Sequence, residues 1–130
     1  MNRLVITINR FLKISFCFYW LLIPLLSLAQ EEINPNGYNV FYYPNGKKSS
    51  EGNFKNGKPE GYWKTYYENG SLKSEGNRVN HRLDSLWLFY NSDGTLKQEI
   101  MYRDDVKHGV QKNYNQEGLL VSLERYRNDT

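Results

Sequence analysis

From residue 37 onward, apolar and polar positions fall into short runs, and a turn signal closes each run. Tyr62-Trp63-Lys64-Thr65-Tyr66-Tyr67 has the aromatic, extended character that strands favour. Glu68-Asn69-Gly70 marks a turn, and Ser71 to Arg78 makes a second, less regular run. The unit this predicts is a β-hairpin. Ten glycines, recurring turn residues and closely spaced aromatics do not support a helical period.

The hairpin recurs every 24 residues. Copies run from Gly37 to Glu60, Gly61 to Asp84, Ser85 to His108 and Gly109 to Thr130, the last two residues short. They align without gaps. Tyr42, Tyr66, Tyr90 and Tyr114 share one column, and Gly46, Gly70, Gly94 and Gly118 another. Leu72, Leu96 and Leu120 share a third, and Glu51, Glu75 and Glu99 a fourth.

The turn predicted for all four copies is a three-residue loop with its glycine in the left-handed conformation, because Glu117 resists the positive φ that a two-residue primed turn needs. That loop sets Tyr67 opposite Ser71 and Tyr66 opposite Leu72. Strict alternation then gives an expected core face: Tyr38, Val40, Tyr42 and Phe54; Tyr62, Lys64, Tyr66 and Leu72; Leu86, Leu88, Tyr90, Leu96, Ile100 and Tyr102; Val110, Tyr114, Leu120 and Tyr126. Consecutive hairpins pair edge to edge through connectors such as Lys55-Asn56-Gly57-Lys58-Pro59. The expected fold is all-β: a single-layer antiparallel meander of eight strands, each unit shielding its apolar face against its neighbours.

The other face carries Phe41 and Tyr43, then Trp63 and Tyr67, then Trp87 and Phe89. The fourth copy has Gln111, Asn113 and Asn115 there, as a capping repeat should. This aromatic stripe reads either as a contact surface or as material buried by curling or stacking of the sheet.

The phrase from Gly57 to Gly76, GKPEGYWKTYYENGSLKSEG, resembles the MORN repeat family, and more narrowly its bacterial, antitoxin-like variant. Gly61, Trp63, Tyr66, Gly70 and Leu72 match its pattern. Ser85 departs from the expected glycine, and Gln111 from the expected aromatic. The resemblance spans residues 37–130 and implies a repeat sheet used for protein assembly or lipid contact. The antitoxin label implies a cytoplasmic toxin partner, which fits an exported chain badly. Tandem aromatic hairpins such as Trp63-Lys64-Thr65-Tyr66-Tyr67 also resemble choline- and wall-binding repeats.

Residues 1–29 differ in kind. Arg3, Arg10 and Lys13 precede an apolar run from Ile14 to Leu28, followed by Ser27-Leu28-Ala29 with small residues at both ends. This layout predicts a helical signal peptide cleaved after Ala29, with residues 30–36 a short linker and the mature protein periplasmic or extracellular. The alternative is a membrane anchor formed by residues 14–28, a run shorter than the roughly 20 residues of a spanning helix. Cys17 is the only cysteine and lies inside the run behind Phe16, an unsuitable setting for lipidation.

Three of the 17 basic residues belong to this leader, so 14 basic residues face 14 acidic ones in the remainder. Net neutrality and alternating signs speak against nucleic-acid binding and weaken attraction to anionic membranes. Without cysteine, the mature chain holds together by burial and hydrogen bonding alone.

No catalytic constellation emerges. His81 and His108 lie in connectors without partners at metal spacing, and a zinc site wants three or four convergent ligands. Glu31-Glu32 and Asp104-Asp105 are adjacent rather than opposed. The Glu51, Glu75, Glu99 column reads as an outer position paired with Lys73 and Lys97. Asn69-Gly70-Ser71 and Asn128-Asp129-Thr130 match a glycosylation acceptor only formally. The expected function is that of a non-enzymatic exported module without cofactor or metal, acting on a protein partner. The alternative is a cell-wall or carbohydrate binder using Phe41, Tyr43, Trp63, Tyr67, Trp87 and Phe89.

Overall fold

A computed structural model describes residues 32–127. The expected signal peptide, its cleavage point and the acceptor at Asn128 lie outside the described residues. Eight strands follow one another as β1 (Tyr38–Tyr42), β2 (Lys48–Lys55), β3 (Lys58–Tyr66), β4 (Leu72–Val79), β5 (Arg82–Tyr90), β6 (Leu96–Arg103), β7 (Val106–Tyr114) and β8 (Leu120–Tyr126). They form one antiparallel sheet in sequence order, a meander.

Two kinds of turn alternate along it. Within a hairpin, the Tyr67 amide donates to the Ser71 carbonyl at 2.9 Å and the Gly70 amide to the Tyr67 carbonyl at 2.8 Å. This is the three-residue loop expected from the sequence, and Gly46, Gly70, Gly94 and Gly118 hold φ between 79° and 93°. Asn45, Asn69 and Asp93 each accept the backbone amide two residues on, which rigidifies the loop. Between hairpins, a two-residue turn joins Lys55 to Lys58, and both of its residues, Asn56 and Gly57, have positive φ. Asn80-His81 and Asp104-Asp105 repeat that conformation without glycine.

Register departs from strict alternation in two places per repeat. Thr65 pairs with Ser74 and Tyr66 with Leu72, so Lys73 is a bulged extra residue. Ser49, Lys97 and Val121 are its counterparts. Further on, Gly52 pairs with Trp63 and Asn53 with Glu60, which leaves Gly61 and Tyr62 bulged with Gly61 at φ 73°.

The first bulge corrects the expected core face. Tyr42, Tyr66, Tyr90 and Tyr114 do share one face, with Leu72, Leu96 and Leu120 opposite the last three of them. Beyond the bulge, however, the parity of each second strand reverses. Phe54, Ile100, Tyr102 and Tyr126 therefore stand on the tryptophan face. Phe54 stacks on Trp63 at 5.5 Å, and Ile100 pairs with Gln111.

Burial is also greatest on the face opposite the expected core face, the one that carries the aromatic stripe. Among the described residues, the buried apolar ones are Trp63, Trp87 and Ile100, all on the tryptophan face, whereas Tyr38, Tyr42, Tyr62, Leu86 and Leu120 are exposed. A single sheet has no second layer to cover upright side chains. Burial goes to side chains that lie flat within the sheet, and a tryptophan over a glycine does this best.

Candidate interaction surface

On both faces, successive hairpins are tied together by seams that recur with the repeat. On the tryptophan face, the Trp63 indole N–H donates to the Asn53 carbonyl at 3.0 Å and the Trp87 indole to that of Asn77 at 2.9 Å. Each ring covers a glycine of the preceding hairpin. A Cβ on Gly52 would come within 2.5 Å of Trp63, and one on Gly76 within 2.4 Å of Trp87. Phe41 and Phe54 flank Trp63, and Phe89 flanks Trp87. The Arg78 guanidinium stacks 5.3 Å above Trp87 and donates to the His81 carbonyl. Burial favours its neutral form, and nearby Asp105 acts the other way.

The six stripe residues are thus unequally available. Trp63 and Trp87 are only 6% and 2% exposed. Phe41, Tyr43, Tyr67 and Phe89 are half-buried. The hydroxyls of Tyr43 and Tyr67 donate to the carbonyls of Tyr66 and Tyr90 in the following hairpin. In the fourth hairpin, Gln111, Asn113, Ser122 and Glu124 instead join in a polar network with Gln98 of the third.

The tyrosine face carries a carboxylate seam. Tyr66 donates to Glu51, Tyr90 to Glu75 at 2.7 Å and Tyr114 to Glu99 at 2.6 Å, each bond crossing to the preceding hairpin. Lys48 lies 2.8 Å from Glu51, and Lys112 lies 3.0 Å from Glu99. Glu51 is buried, so this column is not the outer position expected of it. Its partners are tyrosines with Lys48 and Lys112, while Lys73 is the bulged residue and sits 5.5 Å over the Tyr67 ring. The Lys48 and Tyr66 bonds hold Glu51 down at about 2 against an ordinary 4.5. Tyr66 and Tyr90 move the other way, first through loss of solvent and then through the adjoining carboxylate.

Around this seam stand the exposed aromatics of the described residues. Tyr38, Tyr42 and Tyr62 are 56%, 49% and 52% exposed, and Leu86, the counterpart of Tyr38 and Tyr62, is 44% exposed. Strict alternation marked these residues as core, so the sequence reading missed them as surface. The signal that could have separated them is the glycine opposite each tryptophan, Gly52 and Gly76.

The remaining candidates have structural places. His81 occupies a tight turn, and Asp105 accepts the Leu83 amide at 2.6 Å and donates its own amide back at 3.0 Å. Among the described residues, no group of three His, Cys, Asp or Glu is placed to hold a metal.

The family described as MORN repeat variant matches residues 35–56, 59–80 and 83–104. The chain belongs to this family. Each matched MORN segment covers one hairpin with its three-residue loop, from the strand before it to the edge of the next connector. The hairpin of β7 and β8 lies beyond the match, although it repeats the same loop and bulge. MORN repeats are commonly protein-interaction or membrane-binding modules and are generally not catalytic. No curated protein matches the chain. No solved structure matches it either.

Proposed function

We propose that this chain is a non-enzymatic MORN module, exported by its leader, that binds a protein partner through the tyrosine face of its first three hairpins. The observation that carries this reading is the row of Tyr38, Tyr42, Tyr62 and Leu86, all exposed on the tyrosine face. Large apolar side chains clustered in the open mark contact surfaces. The adjacent tyrosine hydroxyls and Glu51 and Glu75 provide a polar rim. Those carboxylates, Glu51 held strongly ionised, disfavour an anionic membrane surface and suit a protein with its own donors. Trp63 and Trp87 lie down over glycines, so an upright platform for sugar stacking is left to Phe41, Tyr43, Tyr67 and Phe89.

The test is capture by the tagged full chain from the envelope of its own cells, alongside sedimentation with insoluble wall material and flotation with anionic vesicles. The expected result is one stoichiometric protein, lost on combining Tyr38→Ala with Tyr62→Ala while the circular dichroism spectrum is retained. Binding only to wall material, and its loss with Phe89→Ala, would replace this reading with the glycan one. Binding only to vesicles would replace it with the lipid one.

A further inference from the structure

The three carboxylates of the tyrosine face are not equally satisfied. Glu51 accepts the Tyr66 hydroxyl on Oε1 and the Lys48 ammonium on Oε2, the latter at 2.8 Å. Glu99 accepts the Tyr114 hydroxyl on Oε1 at 2.6 Å and the Lys112 ammonium on Oε2 at 3.0 Å. Glu75 accepts the Tyr90 hydroxyl on Oε1 at 2.7 Å. Among the described residues, no cation forms an ion pair with it.

The sequence explains the gap. The first hairpin draws its ammonium from Lys48, at the start of β2, and the counterpart in the second hairpin is Leu72. The third takes it from Lys112, which pairs with Glu99 from the following strand, and the residue so paired with Glu75 is Leu88. Lys64 lies across the ladder from both Glu51 and Glu75 and forms an ion pair with neither. The two leucines thus replace the internal ammonium with half-buried apolar walls. Tyr62, 52% exposed, stands beside the same carboxylate, and loss of solvent followed by the presence of Glu75 raises its phenol. A carboxylate flanked by tyrosine rings attracts an ammonium through its charge and through the ring faces.

We infer that Glu75, Tyr62 and Tyr90 form a binding site for the ammonium of a lysine side chain from the protein partner. The inference rests on the protein-interaction reading for the source of that lysine, and it names the chemistry the partner presents. The neighbouring repeats show what the site takes, because the same carboxylate oxygen, Oε2, holds an ammonium in both. A lysine supplies the two parts the site asks for. Its charged head meets Glu75, and its methylene stem lies along Leu72 and Leu88.

Titration of the full chain with Nα-acetyl-lysine amide, followed by NMR at the Tyr62 ring and the Glu75 side chain, tests the site. The expected result is a saturable shift at both residues. The norleucine analogue, which keeps most of the stem and lacks the ammonium, should produce none. Two variants check the assignment. Glu75→Gln removes the charge, and Leu72→Lys supplies an internal ammonium from the position that Lys48 holds in the first hairpin. Each should abolish the Tyr62 shift and weaken capture of the partner, with the circular dichroism spectrum retained. No saturable shift in the unaltered chain, an equal shift with the norleucine analogue, or an undiminished shift in both variants overturns the proposal. Capture of a protein that survives both variants also overturns it and leaves the broader function standing. Empty capture with the titration intact removes the broader function and keeps the ammonium site.

Discussion

The Trp87 indole lies flat over Gly76 and donates its N–H to the Asn77 carbonyl at 2.9 Å, closing the seam between the second and third hairpins. Trp63 and Gly52 form the same seam one repeat earlier. The absent Cβ is what lets each ring reach the sheet. Gly76→Ala and Gly52→Ala are therefore expected to destabilise the protein by about 2 kcal/mol each, the usual cost of forcing atoms into a filled site. Urea unfolding followed by tryptophan fluorescence measures this. An unchanged midpoint would mean the rings do not rest where described.

The third seam is built in reverse. Ile100 stands where the glycine would be, and Gln111 where the tryptophan would be, and the two are paired and buried. Gln111→Trp alone should cost about 1–3 kcal/mol through overlap with Ile100. Adding Ile100→Gly should recover most of it, giving a coupling energy of about 1 kcal/mol or more in a double-mutant cycle. Additive effects would contradict the seam.

Ser85 holds φ 61° where the first, second and fourth hairpins have or begin with glycine, and Gly61 and Gly109 adopt 73° and 72° there. A side chain in the left-handed region costs about 1 kcal/mol. Ser85→Gly loses one exposed bond to Asp84 and should still raise the melting temperature by a few degrees. A lowered melting temperature would show that the connector differs from its counterparts.

Glu51 has a carboxyl held at about 2 by Lys48 and Tyr66. A carboxylate whose folded value is depressed contributes its full stabilisation above its unfolded value, near 4.5, and loses it as the pH falls towards 2. Thermal melts should fall in that window, and Glu51→Gln should flatten the decline. Tyr90→Phe, which strips Glu75 of its hydroxyl donor, should cost about 1–2 kcal/mol at neutral pH. A wild-type profile that is flat from pH 5 to 2 would leave the carboxylate seam without a role in stability.

Much of the architecture is written locally. The repeat, the glycine-closed loops and the pairing of Tyr66 with Leu72 follow from turn chemistry that acts over a few residues. The bulges at Ser49, Lys73, Lys97 and Val121 do not share a residue type, so nothing in the side chains announces them. One unpaired residue then reverses the parity of all that follows, which is why Phe54 and Ile100 were expected on the tyrosine face. The buried face was misread for a related reason. In a two-layer fold the alternation of apolar residues names the core, but here burial depends on what lies beside a side chain in the sheet. Only the cross-strand register makes Gly52 the partner of Trp63 and Gly76 the partner of Trp87. The exposed row of Tyr38, Tyr42 and Tyr62 follows from the same geometry.

The most direct measurement is the proton NMR spectrum of the glycine Hα atoms in the folded protein. Seated beneath indole rings, the Hα protons of Gly52 and Gly76 should shift strongly upfield and show cross-relaxation to the rings of Trp63 and Trp87. Ordinary glycine shifts at both positions, with no contact to either indole, would contradict the stacked-seam account of the sheet.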